Sequence, residues 1–98
     1  MTTTTIAAAF QKLYAAGFTT LTEVIILLEV ARLEDIGETA QLTNIARNLD
    51  MPPSTVSRVL WDLTERKWLT RSEHPQDRRA VLVGTNRKAL NKVLGVTQ

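Results

Sequence analysis

Apolar residues recur every three or four positions along most of this chain, a spacing typical of helices that bury one side. The first such stretch predicts a helix over roughly 4–16, which ends at Gly17 because glycine readily adopts the left-handed conformation. Its apolar positions are Ile6, Phe10, Leu13 and Tyr14. We expect the aromatic residues of this region, Phe10, Tyr14 and Phe18, to make core or dimer contacts.

The second apolar stretch predicts the central helix of the fold. Thr20 and Glu23 stand three positions apart before it, which is the capping-box pattern of a helix start, and Gly37 marks its exit. One predicted face consists of Leu21, Val24, Ile25, Leu28 and Ala31, and most of the remaining surface consists of Ile26, Leu27, Val30 and Leu33. A helix that is apolar nearly all round needs neighbours on several sides, so we expect it at the centre of the core.

Two short helices separated by a tight turn are predicted next. The first spans 42–49, and a one-pair strand is predicted before it at Thr39 and Ala40. The turn is Asp-Met-Pro-Pro at 50–53, because a residue that precedes proline is disfavoured in the helical conformation. The second helix begins at Pro53 or Ser54, since proline is tolerated in a first turn. Its buried stripe is Val56, Val59, Leu60 and Leu63, and its opposite face carries Ser54, Arg58, Trp61 and Glu65.

A hairpin and a last helix complete the predicted elements. Residues 69–71 and 80–83 have the pattern of short strands, and the polar residues 72–78 between them predict a long loop. We expect Trp68 to pack in the core between helix and hairpin. Thr85 or Asn86 can cap the last helix, whose apolar face is Ala89, Leu90, Val93 and Leu94 and which ends at Gly95.

Composition excludes several classes of function. The 98 residues support one domain and include no cysteine, which excludes disulfides and thiolate metal sites. The single histidine, His74, has no second histidine to share a metal and no catalytic partner, and the four glycines are too scattered for a phosphate-binding loop. We therefore expect no enzyme, no metal and no cofactor. Without a membrane-length apolar run or a signal sequence, we expect a cytoplasmic protein.

The net charge of +2 conceals an uneven distribution of charges. Residues 1–20 carry +1, residues 21–50 carry −4 and residues 51–98 carry +5. Such asymmetry favours a polyanion as the partner of the second half. Ordinary solvated helix faces explain the same charges equally well.

Two short helices, a tight turn and a basic hairpin together predict a mainly helical winged helix-turn-helix. We expect one DNA-binding domain with an N-terminal helix (1–18), a core (19–84) and a short C-terminal helix (85–98). The second helix of such a pair can lie in the major groove of DNA. Its hydroxyls, on Ser54, Thr55 and Ser57, suit phosphates or base edges, and Arg58 can reach a guanine edge. Trp61 either touches DNA or a partner, or leans onto a neighbouring element.

Two segments of the sequence resemble a known family. Residues 54–60, Ser-Thr-Val-Ser-Arg-Val-Leu, are similar to the recognition helix of MarR-type transcription regulators, and residues 69–83 are similar to that family's wing. The family's Asp-x-Arg signature falls on Asp77 and Arg79. The resemblance covers roughly residues 20–90. It implies that Arg79 meets the minor groove, that Asp77 orients it, that Arg78 contacts phosphate nearby and that Arg71 adds a backbone contact.

The resemblance implies a sequence-specific regulator that binds double-stranded DNA, acts as a repressor and forms a homodimer. Residues 53–67 would enter the major groove and the wing, 72–79, the minor groove. Two alternatives stay open: a winged-helix module that binds protein, and a DNA-binding factor for plasmid or phage maintenance. The family's Lys-Gly-Leu pattern is replaced by Lys67-Trp68-Leu69, so we expect this helix to end differently. The last helix is shorter than in the family, which leaves open whether the short terminal helices dimerize or the chain is a monomer, and whether it has a small-molecule effector. A DNA-binding role implies association with the nucleoid.

Overall fold

The elements of the fold follow the predicted order. A computed structural model describes residues 2–74 and 77–95, the side chains of 73–81 excepted. Its helices are α1 (Thr3–Ala15), α2 (Leu21–Asp35), α3 (Leu42–Leu49), α4 (Pro53–Glu65) and α5 (Arg87–Leu94), and its strands are β1 (Leu69–His74) and β2 (Asp77–Thr85). The prediction of a mainly helical chain with a two-stranded hairpin is confirmed. Within the described residues, no helix has the length and apolar character needed to cross a bilayer.

Helix α2 forms the centre of the core, as predicted. It packs against α3, α4 and β2, and Ile26, Leu27 and Val30 are fully buried. The expectation of neighbours nearly all round the helix was wrong in part, because Leu21 and Leu28 of the first predicted face are 62% and 41% exposed. These two leucines lie on the side of α2 opposite its fully buried residues, so apolar character all round the helix did not produce burial all round.

Each of the five helices is followed, immediately or shortly after its last turn, by a residue in the left-handed conformation. Gly17 and Gly37 adopt it after α1 and α2, as the sequence predicted. After α4 the same role falls to Lys67, whose φ is 67°. Its N–H donates to the Thr64 carbonyl at 3.0 Å, and the N–H of Trp68 donates to the Leu63 carbonyl at 2.9 Å. This closure is a Schellman motif built without glycine. The helix therefore ends at Glu65, earlier than the predicted residue 67.

The wing is a longer ladder than predicted. Antiparallel pairing runs from Leu69 opposite Thr85 to Glu73 opposite Val81, and after a bulge His74 pairs with Asp77. The long loop expected at 72–78 is therefore wrong, since most of it lies in the two strands. Polar side chains are compatible with an antiparallel ribbon that faces water, so polarity alone did not distinguish strand from loop.

A backbone contact joins the base of the wing to the segment before α3. Gln41 forms an isolated bridge with Leu82, and the N–H of Val83 donates to the Ala40 carbonyl at 2.9 Å. The sequence predicted this one-pair strand at Thr39 and Ala40, one residue away from the bridge. The hairpin is thereby connected by backbone hydrogen bonds to the helix pair that it accompanies.

The terminal helices α1 and α5 pack against each other. Leu13 and Leu90 are buried, and the Asn86 side chain caps α5 by accepting the N–H of Ala89 at 3.3 Å. Phe18 is buried with 3% of its surface exposed, whereas Phe10 and Tyr14 are 43% and 71% exposed. Of the three aromatic residues expected in the core or an interface, Phe18 is thus a core residue.

Candidate nucleic-acid interface

The position of α4 is set by the turn before it and by its apolar stripe. Asp50 adopts φ 53° after α3, and the N–H of Met51 donates to the Ala46 carbonyl at 3.0 Å, so the chain reverses before Pro53. All four residues of the predicted stripe are buried: Val56, Val59, Leu60 and Leu63. One side of α4 is therefore committed to α2 and α3, and the other faces outward.

The outward face of α4 is polar and basic, as predicted. Ser54, Ser57 and Arg58 are exposed, and Thr55 is half-buried. The Pro52 carbonyl accepts the N–H groups of Thr55 and Val56, and among the described residues no side chain caps this helix start. A helix start of this kind suits an anion, because the first N–H groups of the helix point toward it.

Four of the predicted contact residues line two grooves on opposite flanks of α4. Toward α2, Thr55 and Arg58 line a groove of ≈ 370 Å³ together with Thr20 and Thr22. No pattern in the sequence indicates Thr22, because its place beside Arg58 arises from the packing of α2 on α4. The acidic residues of this groove are Glu23 and Asp62.

Toward the wing, Ser57 shares a smaller groove with Trp61 and Arg71. The guanidinium carbon of Arg71 lies 5.1 Å from the centre of the Trp61 ring, which is within the range of a cation–π contact. For Trp61, the sequence left open a contact with DNA or a partner, or a contact with a neighbouring element of the fold. The indole does contact a neighbouring element, β1, yet 57% of its surface stays exposed.

Three predicted wing residues have described backbones only. Asp77, Arg78 and Arg79 lie in β2, and Asp77 pairs with His74 at the bulge. Their side chains, and all of residues 75–76, lie outside the described residues. The roles assigned to these side chains by the resemblance therefore stay predictions.

Arg66 connects the end of α4 to the connection between α1 and α2. Its guanidinium donates to the Gly17 carbonyl at 2.8 Å and to Asp62 at 3.1 Å, and it lies 5.0 Å from the centre of the Phe18 ring. Glu23 is 3.5 Å away. An arginine at a helix end is explained by the helix dipole alone, but here it makes a tertiary contact that the sequence did not indicate.

Two carboxylates of α2 hold the elements around the interface. Glu29, only 7% exposed, forms a two-point ion pair with Arg32 at 2.8 Å and accepts the Asn48 amide of α3 at 3.0 Å. The hydrogen bond from Arg32 lowers the pKa of Glu29 against the opposing effect of its burial. Near the end of α2, Glu34 accepts the backbone N–H of Thr85 at 3.2 Å and also contacts the Thr85 hydroxyl.

Ion pairs within the fold reduce the positive charge that the second half of the chain offers to a partner. Arg87 pairs with Glu34 at 3.3 Å and Asp35 at 3.1 Å, and Arg66 pairs with Asp62 and Glu23. Part of the positive charge of the second half is thus neutralised within the fold. Arg58, by contrast, is exposed on the outward face of α4.

A helix-turn-helix whose second helix is exposed, followed by a two-stranded wing, defines the class of the protein as a winged helix. The model of the MarR family matches residues 16–80, and the chain belongs to this family. No curated protein sequence matches the chain.

Solved structures give the same fold. ZitR of Lactococcus lactis, described as a zinc-responsive MarR family member, is 27% identical with a TM-score of 0.63, over 80% of this chain and 50% of ZitR. The F27L mutant of MepR from S. aureus, bound to an oligodeoxyribonucleotide, is 24% identical with a TM-score of 0.70, over 93% of this chain and 65% of MepR. YusO from Bacillus subtilis is 16% identical with a TM-score of 0.70, over 95% of this chain and 64% of YusO. The chain spans about half the length of ZitR.

Proposed function

We propose that the protein is a transcription regulator that binds double-stranded DNA sequence-specifically, with α4 in the major groove and the wing, 72–79, in the adjacent minor groove. The observation that carries the proposal is the division of α4 into a buried apolar side and an exposed side with Ser54, Ser57 and Arg58. This is the arrangement of a recognition helix. Membership in the MarR family and the fold shared with DNA-bound MepR support it.

Each contact residue has a distinct role in this proposal. Arg58 reads a guanine edge, because a guanidinium can donate two parallel hydrogen bonds to it. The hydroxyls of Ser54, Thr55 and Ser57 bind phosphates or base edges near the start of α4. In the wing, Arg79 enters the minor groove and is oriented by Asp77. Arg78 and Arg71 contact the phosphate backbone.

We further propose that the protein acts as a homodimer and represses by occluding a promoter. Two-fold symmetry would match two half-sites on the DNA. Unpartnered apolar surface supports the dimer: Ile6, Phe10 and Tyr14 are exposed along α1, and a groove of ≈ 450 Å³ between α1 and α2 is lined mainly by apolar side chains. Sedimentation of the free protein would measure its mass, and a monomer at micromolar concentration would contradict this part of the proposal.

The test of the DNA-binding proposal begins with selection of bound duplexes from a random pool. The dissociation constant for the selected duplex is then measured over a salt series for the wild type, Arg58→Ala and Arg79→Ala. We expect each substitution to weaken binding by roughly tenfold or more. The control is Lys88→Ala, which removes an exposed charge from α5 and should leave the affinity nearly unchanged.

Other outcomes would favour the alternatives. If no duplex is enriched and binding does not depend on salt, the regulator proposal is wrong and a winged-helix module that binds protein is favoured. If both arginine variants bind as tightly as Lys88→Ala, the assigned interface is wrong. If the selected sequence occurs at origins or partition sites rather than promoters, the protein acts in plasmid or phage maintenance.

A further inference from the structure

The groove between α4 and β1 contains an arginine whose guanidinium lies over the ring of an exposed tryptophan. The Arg71 guanidinium carbon lies 5.1 Å from the centre of the Trp61 ring, and the Ser57 side chain lines the same groove of ≈ 120 Å³. Trp61 belongs to the recognition helix and Arg71 to the first wing strand. The pair therefore stands between the two elements that are proposed to enter neighbouring grooves of DNA.

The contact with the Trp61 ring affects what the Arg71 guanidinium can bind. A guanidinium that lies against an aromatic ring uses one flat face for the contact, and the N–H groups at its edge still point outward as donors. Arginine donors in this arrangement suit a phosphate, which accepts two of them in parallel. Because stacking limits the conformations of a long side chain, it also reduces the entropy that is lost when a phosphate binds.

A large exposed indole on a DNA-facing helix has no evident purpose in the stability of the core. Trp61 is 57% exposed, whereas the stripe on the other side of α4 is buried without it. The indole is instead in contact with Arg71 of the first wing strand. In the proposed binding mode, the DNA backbone that separates the two grooves would pass over the surface where α4 meets β1.

We infer that Trp61 is a positioning residue that holds Arg71 for a backbone phosphate of bound DNA, with the Ser57 hydroxyl as a second donor. The inference rests on the proposed DNA-binding function, which already gives Arg71 a backbone contact, and adds Trp61 as the residue that positions Arg71 in a sequence-independent phosphate site. Since phosphate contacts carry no base information, this site contributes affinity and salt dependence but no sequence preference.

The test compares Trp61→Ala, Trp61→Phe, Arg71→Ala and the double variant Trp61→Ala/Arg71→Ala on the selected duplex and on an unrelated duplex. We expect Arg71→Ala to weaken binding to both duplexes by a similar factor. It should also reduce the slope of log K against log salt by about one. Trp61→Ala should weaken binding severalfold, and Trp61→Phe should restore most of it, because phenylalanine also offers an aromatic face.

The double variant separates positioning from an independent DNA contact. If Trp61 acts through Arg71, the double variant should bind no more weakly than Arg71→Ala alone. The inference would be overturned if the double variant lost affinity by the product of the two single losses. It would also be overturned if Trp61→Ala bound DNA as tightly as the wild type. Equal losses in Trp61→Phe and Trp61→Ala would overturn it as well. Unfolding midpoints of all variants report any loss of folded protein.

The fluorescence emission of Trp61 gives a further test. If Trp61 had only a structural role, DNA binding would not change its emission. The chain has two tryptophans, so Trp68→Phe leaves Trp61 as the sole indole. We expect DNA binding to shift its emission in this background, and Arg71→Ala to reduce the shift. No shift on binding would count against the site, while the affinity measurements above do not depend on the Trp68 substitution.

The outcomes also separate this inference from the proposed function. If Arg58→Ala and Arg79→Ala lose affinity while Trp61→Ala and Arg71→Ala do not, the DNA-binding proposal stands without its Arg71 contact, and the phosphate site is wrong. If the wild type binds no duplex, both are wrong.

Discussion

The carboxylate of Glu34 accepts the backbone N–H of Thr85 at 3.2 Å, which joins the end of the central helix to the last residue of β2. The same carboxylate pairs with Arg87 in the first turn of α5. Gly84 leaves room for it, since a Cβ at this position would approach the Glu34 carboxylate to 3.2 Å. Glu34 therefore links the wing, the central helix and the terminal helix.

Glu34→Ala should loosen the base of the wing. Loss of this acceptor leaves the Thr85 N–H without its charged partner, so we expect faster hydrogen exchange at that amide and a loss of about 1 kcal/mol in the free energy of unfolding. Exchange followed by NMR and urea unfolding measure the two effects. The matched control is Glu38→Ala, which removes an exposed carboxylate just after α2. Equal exchange at Thr85 in both variants would contradict this role of Glu34.

Arg66 should stabilise the junction between α4 and the α1–α2 connection. Arg66→Ala removes the 2.8 Å hydrogen bond to the Gly17 carbonyl and the contact with the Phe18 ring. We expect it to lower the free energy of unfolding by about 1–2 kcal/mol. Arg66→Lys should recover less than half of the loss, because an ammonium cannot reproduce the planar fork. If Arg66→Ala is no worse than Lys88→Ala in urea unfolding, Arg66 acts only through the helix dipole.

The parts of the fold that the sequence predicted well depend on short-range relationships. The Thr20 cap on Glu23 spans three residues, and so does the Asn86 cap on Ala89. Gly17 and Gly37 end their helices because the required conformation is local to each glycine. The exposed face of α4 likewise follows from helical spacing and the positions of its four buried residues.

The parts that were missed depend on long-range contacts. Glu34 and Thr85 are 51 positions apart, and Arg66 and Gly17 are 49 apart, so nothing in either local pattern indicates the pairing. The contact between Trp61 and Arg71 also requires the register of β1 against α4. For Leu21 and Leu28, burial depends on which sides of α2 have neighbours, which helical periodicity does not determine.

Lys67→Gly should stabilise the protein. Lys67 holds φ at 67°, a conformation that costs a residue with a Cβ about 1–2 kcal/mol. Glycine removes this cost but increases the entropy of the unfolded chain, so we expect a net gain of about 0.5–1 kcal/mol in urea unfolding. The contrast is Trp68→Gly, at the position where the MarR-type pattern has its glycine. It should destabilise the protein, because the Trp68 ring packs 4.9 Å from that of Phe18. If Trp68→Gly had the higher free energy of unfolding of the two variants, the backbone strain would not lie at Lys67.

The ion pair of Glu29 should make stability depend on pH in the acid range. The hydrogen bond from Arg32 holds the pKa of Glu29 below its ordinary value of 4.5 in the folded protein. A lowered carboxyl pKa contributes stability that is present above the unfolded value and is lost as the pH falls through the folded value. Glu29→Gln should therefore cost about 1–2 kcal/mol at pH 7, and the difference from the wild type should shrink as the pH falls below about 4.5. Urea unfolding over a pH series measures the difference, with Glu38→Gln as the exposed control. A gap between wild type and Glu29→Gln that is as large at pH 3 as at pH 7 would mean that the ionised carboxylate is not the source of the stabilisation.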